Sequence, residues 1–133
     1  VRKNPVLYES EVKKAVKRWL RSEHPDWTIW SKWHFDIIAG SSKSQPLIAV
    51  ECKGIPSERK KIHRAIGQCL DYMTPTGFAE VSCFMAIPKD FVYNDLILKI
   101  LEYHELSIGL LTVDDNGEVT IQREAKKSHV KDS

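Results

Sequence analysis

The sequence predicts an α/β domain, a mixed sheet with helices on its faces. Three observations carry that expectation. Segments with apolar residues at helical spacing alternate with short runs rich in β-branched and aromatic residues. The apolar run Leu47-Ile48-Ala49-Val50 reads as a strand covered on both faces. Asp114-Asp115-Asn116-Gly117 is a strong hairpin-turn signal near the end of the chain.

The elements follow in order. Residues 7–23 read as an amphipathic helix with Val12, Ala15, Val16, Trp19 and Leu20 as its apolar stripe, ended by His24-Pro25-Asp26. Residues 27–33 and 34–40 read as two short strands. Gly40 to Pro46 reads as a loop into the strand 47–53. Gly54-Ile55-Pro56 breaks that strand, and Ser57 is suited to cap a helix over 58–73. That helix is expected to bury Ile62, Ala65, Ile66, Cys69, Leu70 and Met73. A turn at 74–77 leads to a strand over 81–87, ended by Pro88. Asp90 is expected to cap a helix over 91–105, with Val92, Leu96, Ile97, Ile100 and Leu101 inward. Strands at 108–113 and 118–122 flank the hairpin turn. The order is therefore α-β-β-β-α-β-α-β-β. Residues 1–124 are expected to form one domain, and 125–133 a polar, flexible tail.

A chain of 133 residues suits one compact domain that needs no disulfide staples. At 42% hydrophobic and 29% charged, its composition is that of a soluble globular protein. No apolar run approaches a membrane span and no secretory pattern opens the sequence. The chain begins at Val1, so its initiator methionine is expected to have been removed or left out. Cys52, Cys69 and Cys83 read as reduced, buried thiols, so the expected location is cytoplasmic. Their spacing excludes the usual zinc sites. The net charge of +2 does not announce a nucleic-acid binder, but its distribution is uneven. Lys13, Lys14, Lys17, Arg18 and Arg21 form one basic cluster, and Arg59, Lys60, Lys61 and Arg64 a second. Each is either a track for a phosphate backbone or a solvated helix face.

The chemistry-bearing stretch is Glu51-Cys52-Lys53 at the end of the buried strand. Burying either charge unpaired would cost several kcal/mol, and alternation along a strand puts Glu51 and Lys53 on one face. Asp36 lies on the strand before. If the two strands are adjacent, Asp36 and Glu51 converge at one end of the sheet. With Lys53 and a glutamate from the first helix they would form a hard-cation site, whose oxygen ligands suit Mg²⁺. The simpler alternative is a Glu51–Lys53 ion pair with Asp36 in a turn. The first-helix glutamate is Glu9 or Glu11. Glu9 lies about 50° from the centre of the apolar stripe and Glu11 about 110°, so Glu9 is the one expected to reach inward.

The pattern Glu9, Asp36, Glu51-Cys52-Lys53, Gln68 resembles the PD-(D/E)XK nuclease superfamily. Its restriction-endonuclease-like fold has α-β-β-β-α-β as a common core, so the resemblance covers residues 7–88. Gly67-Gln68 is similar to the glutamine motif of Holliday-junction resolvases. Ala65 to Tyr72 followed by Phe84 to Pro88 also resembles the small XisH-like proteins, associated with excision of a DNA element. Phe35 stands where the family name has proline.

The resemblance implies a Mg²⁺-dependent endonuclease acting on DNA, with Mn²⁺ able to substitute. It implies that Asp36, Glu51 and the Cys52 carbonyl hold the metal, that Lys53 orients the attacking water, and that Glu9 and Gln68 support them. Products with 5′-phosphate and 3′-hydroxyl ends are implied as well. Branched or recombination and repair DNA is the substrate it suggests. Lys61, Arg64 and Gln68 line one stripe of their helix, which is either a DNA contact or a solvated rim. His34 is either a DNA contact or a hydrogen-bonded structural residue. Trp19, Trp27, Trp30 and Trp33 are either packing or base-stacking groups. The expected partners are DNA, and a second copy or an accessory protein subunit, with the 107–122 hairpin as a candidate dimer face; no small-molecule cofactor is expected. Two rival readings remain: a catalytically silent DNA-binding or protein-interaction subunit of the same fold, and a structural domain with no site.

Overall fold

The structure is a computed structural model and describes residues 7–32, 35–55, 58–73 and 81–126. The elements are α1 (Glu9–Glu23), β1 (Thr28–Lys32), β2 (Phe35–Ser42), β3 (Gln45–Cys52), α2 (Arg59–Met73), β4 (Ser82–Pro88), α3 (Asn94–Tyr103), β5 (Gly109–Val113) and β6 (Val119–Arg123). This is the α-β-β-β-α-β-α-β-β order that the sequence predicts.

All six strands form one mixed sheet in sequential order, β1 to β6. The pairs β1–β2, β2–β3 and β5–β6 are antiparallel; β3–β4 and β4–β5 are parallel. Two parallel crossovers that advance in the same direction along a sheet place their helices on the same face when both are right-handed. Accordingly α2 and α3 share one layer. Ile62, Ala65, Ile66 and Cys69 of α2 and Ile97 and Leu101 of α3 pack with Ile38, Ala49, Cys83, Met85 and Leu110 of the sheet. On the opposite face Val12, Ala15, Val16 and Leu20 of α1 pack with Ile37, Ala39, Val50, Cys52, Phe84, Ala86, Leu111 and Val113. The central strands are thus covered on both sides, which explains their unbroken apolar runs.

The sequence misplaces three features. Residues 40–46 are not a loop: β2 and β3 continue to a turn at Lys43-Ser44, with Ser42 paired to Gln45. Irregular register at Gly40 and Pro46 supplies bulges that conceal the alternation a strand normally shows. The second concerns α3, which starts at Asn94 with Tyr93 as its N-cap, not Asp90, because residues 89–93 form turns first. The third is the burial of two residues expected inward, Val92 and Leu70, which are 81% and 39% exposed. The turn between β5 and β6 does behave as its sequence demands. Asp114 Oδ1 accepts from the amides of Asn116 and Glu118 at 2.9 Å, and Gly117 has φ 80°, a conformation that glycine adopts without strain. Ser57, the expected cap of α2, lies outside the described residues, as does Trp33.

The three cysteines are free and buried. Trp19 and Trp27 are partly buried against the α1 layer and Trp30 against the other, so these three are packing residues. Lys126 N–H donates to the Ser107 carbonyl at 2.9 Å, and Ala125 packs against the α1 layer. Among the described residues no helix is long and apolar enough to cross a membrane.

Candidate active site

The site forms where β3 ends. The β2–β3 register pairs Ile37 with Val50, which sets Asp36 across from Glu51, since side chains directly opposite on paired strands are neighbours. Alternation along β3 places Glu51 on the side of Ala49, facing the α2 layer. Glu51 is only 6% exposed. Its carboxyl shares a hydrogen bond with that of Asp36.

Two carboxyl groups in contact inside a protein cannot both ionise cheaply. Burial pushes the Glu51 carboxyl up to about 9, and the hydrogen bond to Asp36 and the Asp36 charge add to that, against the opposing pull of Lys53. Burial also pushes Asp36 upward. The hydrogen bonds from the Glu51 carboxyl and from the Cys52 amide, with the Lys13 ammonium, outweigh it and hold Asp36 below its ordinary value. One proton therefore stays on Glu51 near neutral pH, and Asp36 carries the charge. The Cys52 amide donates to Asp36 Oδ2 at 2.8 Å, and Lys13 Nζ stands 3.3 Å from Asp36 Oδ1.

Lys53 lies just past the end of β3, where its amide donates to the Ala86 carbonyl at 2.9 Å. Its ammonium pairs with Glu9 at 3.5 Å. No ion pair joins Lys53 to Glu51 among the described residues, so the simple Glu51–Lys53 bridge is not the arrangement found. The start of α1 reaches this point because the chain after β3 runs against it. Ile55 N–H donates to the Leu7 carbonyl at 3.1 Å, and Tyr8 and Ile55 form a short parallel bridge. Gly54 permits that approach. A Cβ there would stand 2.5 Å from the Glu9 nitrogen and 2.7 Å from the Leu7 oxygen, too close for any side chain without a backbone shift. Gly54 thus does more than break the strand: it docks the helix that carries Glu9.

The two first-turn glutamates take different tasks. Glu9 faces Lys53, whereas Glu11 accepts a hydrogen bond from the Tyr8 amide at 3.0 Å, satisfying a donor at the helix start. Lys13 is the residue that the sequence reading leaves in a general basic cluster. Its signal was available: it follows Glu9 by four residues and so shares its face of the helix.

The structure therefore brings Glu9, Asp36, Glu51, Cys52 and Lys53 together and adds Lys13. The Cys52 thiol is buried on the α1 side, and burial and the charges of Asp36 and Glu51 push it well above its ordinary value, so it is chemically inert. Gln68 is half-buried on α2, next to Cys69. Burial pushes the Cys69 thiol well above its ordinary value. Lys61 and Arg64 are exposed and pair with no carboxylate of the site among the described residues. His34 lies outside the described residues.

Among those residues no group of three or more histidine, cysteine, aspartate and glutamate side chains is placed to hold a metal ion. Two carboxylates meet, and the third, on Glu9, is engaged by Lys53. No family model matches the chain, and neither a curated protein nor a solved structure matches it.

Proposed function

We propose that the chain is a metal-dependent endonuclease of the PD-(D/E)XK type, with the restriction-endonuclease-like fold, that hydrolyses DNA phosphodiester bonds. The observation that carries this reading is the contact between the half-buried Asp36 carboxyl and the buried Glu51 carboxyl at the carboxyl end of a central strand, with Lys53 two residues further on. An acid pair that folds around a retained proton gains little stability at neutral pH but is a good receptor for a divalent cation, which would take the proton's place. Mg²⁺ needs only one or two carboxylates and keeps several waters, so Asp36 and Glu51 would suffice to hold it, with the Cys52 carbonyl as a third oxygen. Bound there, it would supply Lewis acidity toward a phosphate oxygen and ease deprotonation of water.

The remaining tasks fall to the chain's own groups. A water oxygen bonds to phosphorus and loses a proton to solvent as the P–O3′ bond breaks, and the leaving 3′ oxygen takes up a proton from solvent. Lys53 places a cation beside the phosphoryl oxygens as their charge grows, and Glu9 holds that ammonium in place. Charge fixed in advance around the phosphorus is worth more here than in water, because half-buried groups need no reorganisation.

A second reading has its own observation. Asp36 already has Lys13 and the Cys52 amide, and Glu9 has Lys53, so the site is satisfied without a metal. That favours a catalytically silent DNA-binding or protein-interaction subunit of the same fold. A cleavage assay on branched, flapped and linear DNA with Mg²⁺ separates the two. The endonuclease predicts cutting by wild type that falls about 10³-fold in Asp36→Asn and Lys53→Ala, while their DNA affinity stays within a few fold. Intact binding with no cutting by wild type on any of these substrates supports the silent subunit.

A further inference from the structure

The sequence leaves two basic clusters as candidate DNA contacts, one on α1 and one on α2 with Lys61 and Arg64; the structure makes the α1 surface the better placed of the two. Ser10, Lys13, Lys14 and Lys17 line an open depression of about 360 Å³ together with Glu9. Their spacing of three, four and seven residues makes a single stripe along the helix. One end of the stripe is anchored in the site, because Lys13 is 3.3 Å from Asp36. Among the described residues the only carboxylate in the depression belongs to Glu9, which Lys53 engages at 3.5 Å. The ion pairs among the described residues are Lys13–Asp36, Lys53–Glu9 and Lys60–Glu58. Lys14 and Lys17 therefore have no acidic partner there and present uncompensated charge. Arg18 does not extend the stripe: with Asp115 and Asn116 it lines a second, smaller depression of about 260 Å³ against the β5–β6 turn.

We infer that this α1 groove is the track on which a DNA phosphate backbone lies, leading from Lys17 to the acid pair. The inference rests on the nuclease-fold reading and names the surface by which it engages its substrate. From Ser10 to Lys17 the helix rises about 10 Å, the rise of about three nucleotides along one strand of B-DNA. Successive phosphates can thus meet Lys17, Lys14 and Lys13 in turn and deliver the next to Lys53. Recognition is of the backbone, so the surface fixes register and carries no sequence preference. Ser10 adds a hydroxyl donor at the end nearest the site.

The test is fluorescence anisotropy with a 30-base-pair duplex in EDTA, across a range of NaCl concentrations. It compares wild type, the double variant Lys14→Ala/Lys17→Ala, and a charge-matched control, Lys43→Ala/Lys99→Ala. Lys43 sits at the opposite end of β2 and β3 and Lys99 on α3 in the other layer; both are exposed. The α1 double variant is expected to bind about tenfold more weakly and to flatten the log–log salt slope by about 2, with the control within about twofold. Lys14→Gln/Lys17→Gln, which keeps side-chain length, must reproduce the loss. An α1 variant that binds like the control overturns the groove, and if wild type still cuts DNA the nuclease reading survives that result. A wild type that neither binds nor cuts DNA overturns both.

Discussion

Helices α1 and α2 invite comparison, because in sequence they are near twins. Each has 15 residues, an apolar stripe and a basic cluster. They pack on opposite faces of the sheet, yet among the described residues only α1 delivers charged groups to the strand end. Glu9 and Lys13 of α1 touch Lys53 and Asp36, while α2 turns Ile62, Ala65 and Cys69 to the core and leaves Lys61 and Arg64 in solvent. The difference lies in where each helix begins. The start of α1 is pinned beside the end of β3 by the Leu7–Ile55 hydrogen bond and the close approach at Gly54. A charge cluster in a sequence therefore says little until the backbone contact that aims it is known.

That backbone contact can be disrupted by a single substitution. Gly54→Ala inserts a Cβ against the backbone of Leu7 and Glu9 and should cost about 1–3 kcal/mol, seen as a fall of several degrees in Tm. Because the shift separates Glu9 from Lys53, cleavage should fall further than the lost stability explains. Unchanged melting and cleavage would mean that α1 is not held by this approach.

A comparable effect is expected at Glu51, whose side chain faces the α2 layer. Its folded carboxyl is raised from 4.5 to about 9. Between those values the folded chain holds a proton that the unfolded chain has released, so the contribution of Glu51 to stability is full below about pH 4.5 and declines as pH rises toward 9. Glu51→Gln removes that decline. In EDTA the variant should match wild type near pH 4 and exceed it by about 1–3 kcal/mol at pH 8, measured by urea unfolding at both pH values. A gap of the same size at both would show that the acid pair is not the cause.

The smallest effect belongs to α2. Lys61→Ala with Arg64→Ala removes two exposed cations and should change stability by less than about 0.5 kcal/mol. Its loss of DNA affinity should be smaller than that of the α1 double variant. A larger loss would return the DNA contact to α2.

Much of this was legible in the sequence, for physical reasons. Helices α1 and α2 announced themselves through their apolar stripes, and the central strands through apolar runs that only two-sided burial explains. Asp36 and Glu51 were matched because a hairpin can bring strands this close in sequence side by side. Glu9 was separated from Glu11 by angle around the helix, and the structure gives Glu11 a capping task. Other features depend on tertiary contact. Gly54 looked like a strand breaker because a missing Cβ reveals nothing about what approaches it. Lys13 looked like one lysine among many until Asp36 stood 3.3 Å away. Bulges at Gly40 and Pro46 hid the alternation of a long hairpin, and turns at residues 89–93 delayed α3 past the acidic residue best suited by type to cap it.

Whether the Asp36–Glu51 pair holds a cation is decided by calorimetric titration of Mg²⁺ into wild type and Asp36→Asn. A cation site gives saturable binding by wild type with release of about one proton near pH 7.5, as the cation displaces the proton on Glu51, and loss of both signals in Asp36→Asn. Absence of Mg²⁺ binding by wild type, or equal binding by the variant, would contradict it and leave the pair a structural hydrogen bond.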